Sequence, residues 1–171
     1  MNKQNCKYWP FFCEENIWHL CQTEEFRKMP RKVVFISNAH RTCAISNQKV
    51  GNGEPIIWDY HVVLLAQGKI WDMDTLLSFP CGISRYLTQS FLKNTFEKYL
   101  PKFRLIDADD FIDVFASDRR HMLDDNGIPI HPPPPWPAIH PERGSNIYDF
   151  INMERRGLGK ILNLEQFGKL K

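Results

Sequence analysis

Three residue types in this chain have the chemistry to share one task. His61 is an imidazole set in an otherwise apolar run, residues 56–65, IIWDYHVVLL. Two carboxylates, Asp72 and Asp74, follow within residues 70–74, IWDMD. A carboxylate that fixes a histidine in one tautomer makes it a directed base, and such a base needs a nucleophile to activate. The best candidate lies upstream: Cys13, in residues 9–21, WPFFCEENIWHLC. A thiol, an imidazole and a carboxylate together are equipped for acyl transfer through a covalent intermediate.

The elements that would hold these groups can be read from the pattern. Residues 56–65 read as one long strand, and residues 70–74 as a second, with Gln67-Gly68-Lys69 as a polar break between them. That is a β-hairpin signature with glycine in the turn. If Gln67-Gly68 is a two-residue loop, Val63 faces Asp72 and His61 faces Asp74. Side chains alternate along a strand, so His61, Asp72 and Asp74 then share one face. Asp72 is the diagonal neighbour of His61, roughly 7–8 Å away at the backbone. Direct opposition favours Asp74, and a three-residue loop would turn Asp72 to the other face. Ile17, Leu20 and Cys21 have helical spacing, with Pro10 upstream and Glu14 and Glu15 in the first turn. Cys13 therefore stands at a helix N-terminus, where free N–H groups favour a thiolate. The two adjacent glutamates oppose it, so a paired imidazolium is needed.

Plainer readings stand beside these. A cysteine at a helix start is more often structural than catalytic. A histidine among aliphatic residues is usually a satisfied core residue, and Asp72 and Asp74 could simply flank a turn. Cys21 has the apolar spacing of a core residue. His19, His40, His131 and His140 lie in polar or proline-rich settings and read as surface residues, and His121 reads as surface or as the rim of a site.

Longer motifs go further. CEENIW at residues 13–18, VFISN at 34–38, WDYHVVLL at 58–65, WDMDT at 71–75 and FP at 79–80 occur in this order. FASDRRHM at 115–122 and PPPPWP at 132–137 follow. Together they closely resemble the protein N-terminal glutamine amidohydrolase family, named for its WDYHV motif, from about residue 13 to residue 167. Residues 39–52 and 88–101 match no motif of the family. The resemblance implies that Cys13 is the nucleophile, His61 the base and Asp72, the first acid of the D-x-D-T run, the orienting carboxylate. It implies hydrolysis of the side-chain amide of a glutamine at a free protein or peptide N-terminus, giving glutamate and ammonia. The product would feed an N-degron route, in which the glutamate is arginylated and then recognised by a ubiquitin ligase.

That chemistry asks for an oxyanion donor, for which the Cys13 N–H is the natural first choice, and for a reader of the α-ammonium. Glu14, Glu15, Asp59 and Asp118 are candidate carboxylates. Ser37 and Asn38, after the strand-like KVVFIS of residues 32–37, are candidates for lining the pocket. No cofactor is expected, and the histidines and cysteines lack metal-ligand spacing. The rival readings are a cysteine protease or transglutaminase-like deamidase acting on internal residues, and a binding module without catalysis.

The remaining features bound the class. The 171 residues suit one domain, residues 1–171, and 43% hydrophobic with 25% charged residues is ordinary for a globular chain. A net charge of +2 with no basic block gives no push towards nucleic acid or a membrane surface. The N-terminus lacks the apolar stretch of a signal peptide. Five cysteines with no C-x-x-C pair read as reduced thiols, which suits the cytoplasm or nucleus. A monomer is expected. Residues 41–54 read as a loop, 83–99 as a helix, 102–107 as a strand, 108–115 as a short helix or turn, and 132–135 as an extended proline run. Residues 145–151 read as a capped short helix, 159–164 as a last strand and 163–168 as a closing helical turn. Helices around a mainly antiparallel sheet make an α+β fold, and an α-β-α sandwich is expected. A cysteine on a helix followed by His and Asp on neighbouring strands matches a papain-like or transglutaminase-like layout.

Overall fold

A computed structural model describes residues 3–52, 54–92 and 95–170. Its α-helices are α1 (Cys13–Cys21), α2 (Glu24–Arg27), α3 (Ile83–Ser90), α4 (Ala108–Val114), α5 (Ile147–Ile151) and α6 (Leu164–Gly168). Its strands are β1 (Arg31–Ser37), β2 (Cys43–Ile45), β3 (Ile56–Trp58), β4 (His61–Ala66), β5 (Lys69–Trp71), β6 (Cys81–Gly82), β7 (Lys102–Asp107) and β8 (Lys160–Asn163). Six strands form one antiparallel sheet in the order β6-β5-β4-β1-β7-β8. A separate two-stranded sheet pairs β2 with β3. This is an α+β fold.

The central strand is β1, rich in the β-branched and aromatic residues that suit a pleated sheet buried on both sides. Its period of two splits the core. Val33 and Phe35 face one layer with Val62 and Leu64 of β4, Phe26 of α2, Phe111 of α4 and Phe150 of α5. Ile17 and Leu20 fix α1 on that same face. Val34 and Ile36 face the other layer with Val63, Tyr86 and Leu87 of α3, and Phe167 of α6. Burying the side chain of one such residue contributes about 1.5–3 kcal/mol relative to exposing it, and β1 does so on both faces.

The hairpin between β4 and β5 has the predicted two-residue loop. Gln67 and Gly68 both take positive φ, 54° and 66°, as a type I′ turn requires. Leu64 pairs with Trp71 and Leu65 with Ile70, the register expected from the sequence. Other expectations are corrected. Residues 56–65 are two strands in two sheets, with the chain bending at Asp59 and Tyr60. The second hairpin strand ends at Trp71, so Asp72 and Asp74 lie beyond it. The reason is local: the Asp72 carboxylate accepts the main-chain N–H groups of Asp74 (2.8 Å) and Thr75 (3.2 Å), and this side-chain turn replaces the ladder.

Residues 41–54 are not all loop, since they contain β2 and a short 3-10 helix, Lys49–Gly51. The helix expected over 83–99 stops at Ser90, and Phe91 is already extended. Residue 53 and residues 93–94, within those two expectations, lie outside the described residues. The strand at 102–107 and the helices at 108–115, 145–151 and 163–168 are present within a residue or two. The last helix carries the Asn163–Gln166 capping box. Among the described residues no helix is long and apolar enough to cross a membrane.

Candidate active site

The first residue of α1 is Cys13, and Phe12 occupies the N-cap without a side-chain hydrogen bond. The residue before that, Phe11, takes φ 68°, a conformation rare for a bulky side chain, as the chain turns into the helix. Cys13 lines a cavity of about 220 Å³, together with Phe11, Trp58, Asp59, Tyr60 and His121. At ~30 Å³ per water in the liquid, that is space for about seven waters or one polar side chain with its head group.

At the start of β4, His61 is buried and its Nε2 lies 3.0 Å from Oδ1 of buried Asp72. Tyr86 of α3 donates its hydroxyl to Asp72 Oδ2 at 2.8 Å, and the Gln48 amide donates to the same oxygen at 3.1 Å. With the two main-chain N–H groups of the turn, Asp72 is held from several directions. Trp58 stacks on the His61 ring at 5.9 Å between centroids. Among the described residues, His61 Nδ1 has no hydrogen-bond partner, so Asp72 occupies one ring nitrogen and leaves the other free. The Cys13 thiol donates to Glu14 Oε2 at 3.6 Å, and the Val62 N–H, next to His61, points at the sulfur.

The electrostatics follow from burial and charge. Burial opposes ionisation of Asp72, but His61 and the donated hydrogen bonds outweigh it and hold the carboxyl well below its usual range. Burial likewise opposes charging His61, but Asp72, with Asp74 and Glu14 nearby, raises its pKa above the ordinary value. Cys13 goes against the expectation from the helix N-terminus. Burial pushes its thiol well above the usual value, the charges of Glu14 and Asp74 add to this, and the Val62 N–H only partly opposes. Desolvation and two carboxylates outweigh the helix end.

Asp74 sits beside the pair but is turned to Tyr8, whose hydroxyl donates to it at 2.6 Å. Burial raises its pKa. The direct opposition to His61 expected from an extended hairpin is absent, because the strand has already ended. The ligand-type atoms of His61, Asp72 and Asp74 nevertheless lie within 4.8 Å of one another, so the three groups expected on one face do come together, although their spacing did not mark them as metal ligands. Several of those atoms are engaged with each other or with Tyr8, Tyr86 and Gln48.

The other candidates separate cleanly. Glu14 is fully buried and contacts the Tyr60 hydroxyl at 3.2 Å and His121 Nε2 at 3.5 Å. Asp59 lines the cavity and accepts the Tyr60 N–H at 2.9 Å; burial raises its pKa. The Ser37 hydroxyl donates to the Asp59 carbonyl at 2.6 Å and so fixes the cavity wall from behind. Glu15 is committed elsewhere: Arg119 grips both of its oxygens at 2.8 Å, and the Trp136 indole donates to one of them. Asn38 braces a loop through the carbonyls of Lys98 and Leu100 and lines a different cavity. Asp118 pairs with Arg120 away from the cavity lining.

Two histidines expected at the surface, His19 and His131, are half-buried. His19 is wedged edge-on between Trp18 and Trp136, and burial, with Lys7 and Arg119 nearby, lowers its pKa to about 4. His131 stacks face to face on Phe11 at 3.6 Å and lines the cavity. The residues that sequence reasoning missed are Tyr8, Gln48, Trp58, Tyr60 and Tyr86. Trp58 and Tyr60 flank Asp59 within WDYHV and could have been found there. Tyr86 showed only helical spacing, and Gln48 gave no signal in its polar segment.

Comparison with known proteins agrees with this picture. A profile described as N-terminal glutamine amidase matches residues 8–170. The chain is similar to the protein N-terminal glutamine amidohydrolase of Danio rerio, at 41% identity over 96% of this chain and 88% of that protein. It is similar to the protein of that name from Homo sapiens at 39% identity, over 95% of this chain and 86% of the relative. For Drosophila melanogaster the identity is 37%, over 95% and 87%. A match over nearly the whole length shows that this chain belongs to the N-terminal glutamine amidase family.

Proposed function

We propose that this protein hydrolyses the side-chain amide of a glutamine at a free protein or peptide N-terminus, releasing ammonia and leaving N-terminal glutamate. The observation that carries the reading is the buried His61–Asp72 pair with Nδ1 free, one residue from the Val62 N–H that meets the sulfur of a cysteine that opens a helix and lines a cavity sized for one side chain. Cys13 is the nucleophile, His61 the base and Asp72 the group that fixes the imidazole. Because Asp72 accepts the Nε2–H, the lone pair that receives the thiol proton is on Nδ1. The raised pKa of the thiol means that the resting cysteine is protonated, so His61 takes its proton as sulfur attacks the δ-carbonyl carbon. The imidazolium that forms is stabilised by Asp72. The C–N bond then breaks, His61 delivers the proton to the departing nitrogen, and a thioester remains. Water, deprotonated by His61, releases the glutamate. No Cys13–His61 hydrogen bond is formed in the free protein, as is common before substrate tightens such contacts.

The Cys13 N–H at the first position of α1 supplies an oxyanion donor. Of the candidate carboxylates, Glu14 lies buried against the nucleophile and Asp59 lines the cavity, which supports a role for either in substrate binding, while Glu15 and Asp118 are spent on arginines. The helix–sheet–helix layering, with Cys on a helix and His and Asp following in order, supports a papain-like or transglutaminase-like cysteine hydrolase. The protein is taken to act as a monomer. The product carries the N-terminal residue on which arginylation and a ubiquitin ligase act in an N-degron route, in a reducing compartment such as the cytoplasm or nucleus. Acid-quenched mixtures with a glutamine-first peptide should show an acyl adduct on Cys13 by intact mass. An adduct on another residue, or turnover undiminished in Cys13→Ala, would refute the assignment.

A further inference from the structure

Glu14 presents a problem that the hydrolytic mechanism leaves unsolved. Its carboxylate is fully buried beside the nucleophile, 3.6 Å from the sulfur through Oε2. Among the described residues, Oε1 has no hydrogen-bond partner, and its neighbour is His121 Nε2 at 3.5 Å, in ion-pair range but outside hydrogen-bond geometry. A buried carboxylate oxygen left this way costs free energy unless a cation completes it. The same charge also hinders the chemistry, because a carboxylate against the thiol opposes formation of the thiolate.

Both features are resolved by one ligand. We propose that Glu14 is the binding site for the substrate's α-ammonium, with His121 standing in for that cation while the pocket is empty. This rests on the hydrolase reading above and deepens it. In a glutamine the α-nitrogen is four bonds from the δ-carbon, so a δ-carbon placed for attack by Cys13 keeps the ammonium within a few ångströms of the sulfur, where Glu14 already lies. Asp59 is the competing carboxylate, but as a residue it is exposed where Glu14 is fully buried, its carboxyl is only partly desolvated, and one of its oxygens is used by Tyr60. Seating the ammonium on Glu14 neutralises the charge that holds the thiol protonated and withdraws the oxygen to which the S–H donates. Recognition of a free N-terminus is then coupled to activation of the nucleophile, and an acylated N-terminus is refused in the chemical step as well as in binding.

The test is Glu14→Gln, which keeps the shape and removes the charge, read in two ways. The first is competitive inhibition by a glutamate-first peptide, free or N-acetylated. In the wild type the free amine should bind at least about tenfold better, a difference worth about 1.4 kcal/mol, and in Glu14→Gln the preference should vanish. The second is alkylation of Cys13 by iodoacetamide at neutral pH, followed by peptide mass. The variant should react faster at Cys13 with the other four cysteines unchanged, while its turnover of a free glutamine peptide falls. A variant less active yet more reactive at its nucleophile is not what structural damage produces. A retained amine preference in Glu14→Gln, with its loss in Asp59→Asn, would overturn the proposal in favour of Asp59. Unchanged Cys13 alkylation would overturn the coupling. Absence of deamidation by the wild type would strike the hydrolase reading, while the inhibition and alkylation comparisons would still decide the role of Glu14.

Discussion

At the scale of single residues, the question the hairpin pattern left open was which acid serves His61. Opposition across an extended ladder favoured Asp74, yet Asp72 makes the hydrogen bond and Asp74 turns to Tyr8. Asp72→Asn should leave the fold intact and lower kcat by about 10³–10⁴-fold, because the amide would hold the wrong tautomer. Asp74→Asn should cost far less, and steady-state kinetics on both variants decides between them. The pH dependence follows from the same pair. His61 must be neutral to take the thiol proton, and its pKa is raised, so the acid limb of the kcat/KM profile should lie above the ordinary histidine value of about 6.5. Removing the Asp72 charge should move that limb to lower pH. Cys13, His61 and Asp72 stand out as candidates in the sequence because they fall inside long motifs. The partners of Asp72 were not, because Gln48 and Tyr86 reach it through tertiary packing that no local pattern encodes.

At the scale of elements, two arginines, Arg104 buried and Arg119 half-buried, brace the surroundings of the cavity. Arg104 of β7 is buried, and its guanidinium donates to the carbonyls of Phe150 (2.9 Å), Asn152 (2.5 Å), Arg155 (2.9 Å) and Leu158 (3.0 Å). It thereby pins α5, whose Ile147, Tyr148 and Ile151 line the cavity. Arg104→Leu leaves those carbonyls unsatisfied and should cost about 3 kcal/mol or more. At 2–4 °C per kcal/mol for a chain of this size, thermal melting should fall by roughly 6–12 °C, with a higher KM. Arg119 ties the loop before the proline run to α1 through buried Glu15, and also donates to the Trp136 carbonyl at 2.9 Å. Arg119→Ala strands a buried charge and should destabilise by about 3–5 kcal/mol. Denaturant unfolding of Arg119→Ala, Glu15→Gln and the double variant should show the double costing clearly less than the sum.

The edges of elements were the least legible feature. The strand at 102–107 was readable because its residues alternate between two buried layers. The break at Asp59-Tyr60 and the end of β5 were not, because a side-chain turn and a change of sheet carry no hydrophobic period.

At the scale of the whole molecule, the sheet buries both faces, and the groups proposed for catalysis gather at one end of it. Cys13 arrives on a helix packed against one face, while Asp72 is held by Tyr86 from a helix on the other. The proline run docks near the helix start, with the Pro132 carbonyl accepting the Trp9 indole at 2.7 Å, while His131 just before it stacks on Phe11 and lines the cavity. That run was read from the sequence as a stiff extended segment, but its docking against the helix start depends on aromatic contacts far apart in the chain.

The central claim is the hydrolysis of N-terminal glutamine by Cys13. The most direct measurement is ammonia release, with peptide mass, from a short glutamine-first peptide, beside its N-acetylated form, an asparagine-first peptide and the Cys13→Ala protein. The account predicts ammonia and amide-to-acid conversion only for the free glutamine-first peptide with Cys13 intact. Turnover of the acetylated peptide or of an internal glutamine, cleavage of a peptide bond, or no reaction by folded, reduced protein would contradict it.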